Sequence, residues 1–107
     1  MIVEQDRFDL AKHYIGKARH MYDDGLLLKN KDRYESASNR LYYALFHAAN
    51  ALLALKGTAS NRHRGVKTLF DMYYIKTGIM DRKYSKLYNI VLEVREDRRL
   101  RRFLRNQ

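Results

Sequence analysis

Within "NRLYYALFHAAN", residues 39 to 50, four side chains are of kinds that handle phosphates and protons: Arg40, Tyr43, His47 and Asn50. An α-helix turns about 100° per residue, so positions seven apart lie within about 20° of each other around the axis. Arg40 and His47 are seven apart and share a face, with Tyr43 and Asn50 beside that line at three-residue steps. A guanidinium offers a phosphate a planar fork of donors, and an imidazole of ordinary pKa, about 6.5, exchanges a proton near neutrality. Together with a phenol hydroxyl these groups suit phosphodiester chemistry: a cation for developing charge, a general base or acid, and a donor. The residues alone leave a structural alternative open, in which Arg40 pairs with an acid such as Glu93 or Asp97 and His47 is a satisfied core histidine.

These side chains need a helix that is used on every side. Leu41, Leu45, Leu52 and Leu55 cluster away from the polar stripe and read as the face turned toward the rest of the domain. Tyr42 and Phe46, four apart, pack together on a third side, while Ala44, Ala51 and Ala54 would let another backbone approach closely. Such a helix is expected to be buried all round, and a buried Arg40 must then meet an acid, carbonyls or an anion from outside. The D-x-x-E pattern of Asp32 and Glu35 predicts an N-cap, a helix from about Arg33 to Lys56, and Gly57 as its stop.

Before it, the spacing of Leu10, Ala11, Tyr14, Ile15, Ala18, Met21 and Tyr22 predicts a helix from about Asp6, ending at Asp23-Asp24-Gly25 or continuing through Leu28. After it, Val66, Leu69, Phe70, Tyr73 and Tyr74 mark a third helix from about His63, closed by Gly78. Asp81 can cap a fourth, bearing Tyr84, Leu87, Tyr88, Val91 and Leu92 and reaching toward Leu100 and Phe103. The chain has no proline, which favours uninterrupted helices. The expected fold is all-α, an antiparallel helical bundle in one domain over residues 1–107.

Composition narrows the partners. A domain this small buries only roughly 60–65% of its unfolded surface, so covering a second apolar face in a homodimer would help. There is no cysteine for a disulfide or thiolate metal site, and His13 and His20 lack a third ligand, so no metal or cofactor is expected. No apolar run approaches the roughly 20 residues of a membrane span, and the first residues lack the order of a signal peptide, which predicts a cytoplasmic protein with no membrane contact.

The formal charge is +10, and residues 82 to 107 hold nine Lys or Arg against three acids. Such a field concentrates polyanions, RNA or nucleotide foremost, although a solvated tail that only aids solubility would look the same. Arg95, Arg98, Arg99 and Arg102 form a three-and-four row that could follow an RNA backbone. Arg62, His63, Arg64 and Lys67 could make a second phosphate contact or simply begin a helix. Tyr84 and Tyr88 could stack on bases, but both lie on the apolar stripe, where core packing is the better reading.

The string "SASNRLYYALFHAANALLALKG", followed by "HRGV" and "YYIKTG", resembles the HEPN family, whose small members carry R-x-YYA-x-FHAA-x-ALL on the second helix. Arg40, Tyr42, Tyr43, Ala44, Phe46, His47, Ala48 and Ala49 match that pattern, densely over residues 36 to 57 and moderately over 63 to 78. The resemblance implies a four- to five-helix bundle that dimerises. It further implies a metal-independent endoribonuclease with an R-x(4–6)-H motif, here Arg40 and His47 with six residues between, converging from two protomers. His47 would assist attack of the RNA 2′-hydroxyl, Arg40 would stabilise the added charge, and Tyr43 and Asn50 would orient the phosphate or the ring. His63 matches a histidine common at the start of the family's third helix. Many relatives of this kind are toxins paired with a minimal nucleotidyltransferase antitoxin. Leu41 stands where active members usually carry a polar residue, and Ala48 and Ala49 where an antitoxin-modified tyrosine commonly sits. A second reading therefore stays open, a non-catalytic module that binds nucleotide or RNA and partners a nucleotidyltransferase.

Overall fold

A computed structural model describes residues 4–96, with side chains through Val94. Four α-helices follow in order: α1 over Glu4–Asn30, α2 over Tyr34–Leu55, α3 over His63–Phe70 and α4 over Arg82–Glu96, with one turn of π-helix over Asp71–Ile75 after α3. Among the described residues there is no strand, and no helix is long and apolar enough to cross a membrane.

The pairing of α1 with α2 organises the molecule. Ala11, Ala18 and Gly25 recur at heptad spacing on α1 and are buried; Ala37, Ala44 and Ala51 do the same on α2. Small side chains facing one another let the two backbones approach. A Cβ added at Gly25 would lie 2.8 Å from Leu41 Cδ2. The close approach anticipated from the alanines is thus made within the chain, by its own first helix.

The core lies on the opposite side of α2. Tyr42, Phe46, Ala49 and Leu53 pack against Val66 and Phe70 of α3, Tyr74 of the π-turn, and Tyr88 and Leu92 of α4. Tyr42 and Leu53 are wholly buried, each such side chain contributing roughly 1.5–3 kcal/mol. This corrects the expectation that the leucines face the bundle. The aromatic arc does, because α3, the π-turn and α4 present rings to it: Phe70 stacks with Tyr74 at 6.0 Å and meets Tyr88 at 5.9 Å. Leu41, Leu45 and Leu52 are half-buried at its edge, and Leu55 is exposed.

Helix ends follow from local chemistry, with one reassignment. Gly57, at φ 77°, closes α2: its N–H donates to the Ala54 carbonyl at 2.9 Å while the Thr58 N–H reaches Leu53 at 3.1 Å. Asp32 was expected to cap α2, but it ends α1. It sits in the left-handed region at φ 61°, its N–H donating to the Lys29 carbonyl at 3.0 Å and the Arg33 N–H to Leu28 at 2.8 Å. Its carboxylate accepts the Tyr34 hydroxyl at 2.8 Å, so α2 starts without a side-chain cap. Asp81 does cap α4, accepting the Lys83 N–H at 2.8 Å.

Candidate functional site

At about 100° per residue, the seam with α1 splits the exposed part of α2 into two flanks. Arg40, Tyr43 and His47 occupy one, and Leu41, Leu45 and Ala48 the other. The polar flank meets Tyr14, Lys17 and Met21 of α1. The His47 ring stacks on Tyr14, with centroids 6.2 Å apart and planes 21° from parallel, and Tyr43 stands beside it at 6.3 Å.

His47 is half-buried, and its Nδ1 is buried without a hydrogen-bond partner among the described residues, which leaves Nε2 as the nitrogen able to exchange a proton with a ligand. Burial lowers its pKa, and the charges of Lys17 and His13 lower it further. The imidazole is thereby held neutral near pH 7, the form that accepts a proton.

Arg40 is exposed, contrary to the expectation of burial. The core of α2 begins at Tyr42, so the first turns of the helix project beyond the cover of α3 and α4. The Arg40 Nη1 lies 3.8 Å from Met21 Sδ, and among the described residues the guanidinium pairs with no carboxylate; Glu93 stays exposed, and Asp97 lies outside the described residues.

Other candidates are drawn into the fold instead. Asn50 is 1% exposed, its amide donating to the Ser60 carbonyl at 3.0 Å and accepting the Ser60 N–H at 3.2 Å. It fastens the loop before α3, in place of the orienting role expected for it. His63 Nδ1 shares a hydrogen bond with the Tyr42 hydroxyl, and its ring lies 5.0 Å from Phe46 and 5.8 Å from Tyr43. Lys67 pairs with Asp71 at 2.5 Å and donates to Ser85 Oγ at 3.2 Å, so its charge is already met. Arg62 and Arg64 are exposed at the start of α3. Tyr88 is core, as read from the sequence, whereas Tyr84 is 41% exposed. Arg98, Arg99 and Arg102 lie outside the described residues, as does the side chain of Arg95.

Sequence reasoning missed the contribution of α1. Tyr14 and Met21 read there as part of an apolar stripe, and Lys17 attracted no notice. The available signal was the three-and-four spacing of Tyr14, Lys17 and Met21, which puts a cation between two residues that face α2. On the leucine flank, Tyr22, Leu41, Leu45, Leu87 and Val91 line an apolar groove of about 510 Å³ between α1, α2 and α4.

A model of the HEPN domain matches residues 11–104. A UPF0332 protein of Thermotoga maritima is 38% identical over 87 residues, covering 81% of this chain and 66% of its own length. A UPF0332 protein of Pyrococcus horikoshii is 41% identical over 92 residues, covering 86% of this chain and 62% of its own length. A candidate toxin of Methanocaldococcus jannaschii is 29% identical over 83 residues, covering 78% of this chain and 57% of its own length. The chain thus spans about two thirds or less of the length of these curated relatives. No solved structure matches it.

Proposed function

The chain belongs to the HEPN domain family, and on that premise we propose that it is a toxin-type, metal-independent endoribonuclease that works as a homodimer. The observation that carries this reading is one flank of the α1–α2 pair, where an exposed Arg40 with no carboxylate partner among the described residues lies along the same helical line as a neutral-leaning His47. His47 Nε2 takes the proton of the RNA 2′-hydroxyl, and the 2′-oxygen attacks its own phosphorus. The P–O5′ bond breaks, the departing 5′-oxygen takes up a proton, and the products are a 2′,3′-cyclic phosphate and a 5′-hydroxyl. Arg40 meets the charge added to the phosphoryl oxygens in the transition state. Tyr43, beside the His47 ring, limits its rotation.

The candidate toxin of M. jannaschii supports the toxin assignment, and the antitoxin partner in this reading is a minimal nucleotidyltransferase. A second reading, a non-catalytic module that binds nucleotide or RNA, is favoured by Leu41. Its side chain lies against Gly25, so the position after Arg40 serves the helix seam and offers no polar group.

The test is cleavage of a mixed RNA pool in EDTA by wild type, Arg40→Ala and His47→Ala, each first verified as a folded dimer. Cleavage lost in both variants supports the ribonuclease reading. A wild type that binds RNA and cleaves none across pH supports the binding module.

A further inference from the structure

We propose that Lys17 of α1 is a phosphate-binding residue of this flank, holding a single-stranded RNA backbone between the positions served by Arg40 and His47. The inference rests on the preceding reading only for the identity of the ligand as RNA.

The register of the helix pair carries the argument. Tyr14 touches His47, and Met21 touches Arg40. These contacts tie two levels of α1, seven residues and about 10.5 Å apart, to two levels of α2 separated by the same span. Lys17 lies between them, about 4.5 Å along the axis from Tyr14 and about 6 Å from Met21, and rotated only about 40–60° from each toward solvent. Its side chain is exposed, and the electrostatic effect of its ammonium on His47 agrees with that closeness.

Among the described residues no carboxylate forms a direct ion pair with the row. His13, Arg40 and His47 face the same flank. On that side of α1 Asp24 lies 3.7 Å from His20, and Asp6 falls about 20° from Lys17 around the axis, eleven residues before it. Among the described residues no acid pairs with Lys17 or Arg40. Two separated cations on one flank, Lys17 and Arg40, beside the rings of Tyr14 and Tyr43, fit one sugar–phosphate strand better than a small isolated anion. Lys17 takes a phosphate of that strand at a level between those of Arg40 and His47.

The experiment measures binding of the full chain to a labelled 2′-O-methyl RNA dodecamer, which lacks the attacking hydroxyl, across salt concentrations. Each single-strand phosphate contact contributes about 0.7 to the slope of log affinity against log salt. Lys17→Gln should reduce the slope by that amount, so that its deficit against wild type shrinks about 2.6-fold between 50 and 200 mM salt. Lys17→Arg should keep the wild-type slope, and so should Lys76→Gln, which removes the same charge after the π-turn. Independently of RNA, the NMR titration of the His47 ring should move to higher pH in Lys17→Gln.

A Lys17→Gln slope equal to wild type, an equal change in Lys76→Gln, or an unmoved His47 titration overturns the proposal. A wild type that binds no RNA overturns it as well. If binding depends on Lys17 but no RNA is cleaved, the ribonuclease reading fails and this inference stands. Cleavage with an unmoved slope does the reverse.

Discussion

Replacing Asn50 by alanine should destabilise the protein by about 2 kcal/mol without touching the chemistry of the polar flank. The Asn50 amide is 1% exposed and makes two hydrogen bonds to the Ser60 backbone, at 3.0 and 3.2 Å. Each such bond is worth about 0.5–1.5 kcal/mol net, and a buried group left unpaired costs about 1–3 kcal/mol. Ser60 is half-buried, so water reaches part of what alanine would expose, which keeps the total near the middle of that range. Against a total stability of about 5–15 kcal/mol this is a large fraction. Urea unfolding followed by helical circular dichroism should show the midpoint falling by about 1 M at a slope near 2 kcal/mol/M, with the slope unchanged. The melting temperature should drop by about 8–16 °C. A change below about 0.5 kcal/mol, or activity lost at full stability, would refute the assignment of Asn50 to the loop.

Other residues give predictions of both signs. The Tyr88 hydroxyl is buried without a hydrogen-bond partner among the described residues, and burial drives its pKa upward; Tyr88→Phe should therefore raise the melting temperature by a few degrees, read by calorimetry. Gly57→Ala should lose about 1–2 kcal/mol in a urea titration, since the position has φ 77° and an added Cβ would lie 2.8 Å from the Arg7 guanidinium. Because burial, Lys17 and His13 lower the His47 pKa, kcat/KM for RNA should be flat above the ordinary histidine value of about 6.5 and fall only at lower pH. The same shift makes the neutral ring part of the folded state's stability, present above about pH 6.5 and lost as pH falls through the lower folded value; His47→Gln should flatten that part of a stability–pH curve.

The all-α class, the polar line of Arg40 and His47, and the stops at Gly57 and Gly78 were legible because each rests on spacing or on one residue's backbone freedom. What sequence left ambiguous was which of two apolar arcs on α2 faces the core. Leucines and aromatics both satisfy helical periodicity, and the choice fell to rings brought by later helices, Phe70, Tyr74 and Tyr88. Asp32 misled for a related reason: an aspartate that can cap a following helix can also take the left-handed position that ends the preceding one.

The π-turn after α3 is likewise a tertiary outcome. The periodicity through Tyr73 and Tyr74 predicts an unbroken helix to Gly78, but the chain widens at Asp71–Ile75, where the Tyr74 hydroxyl donates to the Leu52 carbonyl and Lys67 pairs with Asp71. In the candidate site, α2 was readable because its functional types are rare in a core. The share of α1 was hidden, because Tyr14 and Met21 look like ordinary core residues until the helices are set in register.

The central claim is that this flank directs an RNA 2′-hydroxyl onto its own phosphate. The most direct measurement uses a defined single-stranded RNA incubated with the wild-type protein in EDTA, beside the same strand with a single 2′-deoxy substitution at the cut linkage. The substitution should abolish cleavage at that linkage alone, and the unsubstituted strand should yield 2′,3′-cyclic phosphate ends only while His47 and Arg40 are intact. Cleavage that persists at the deoxy linkage, or that survives in His47→Ala, would contradict it.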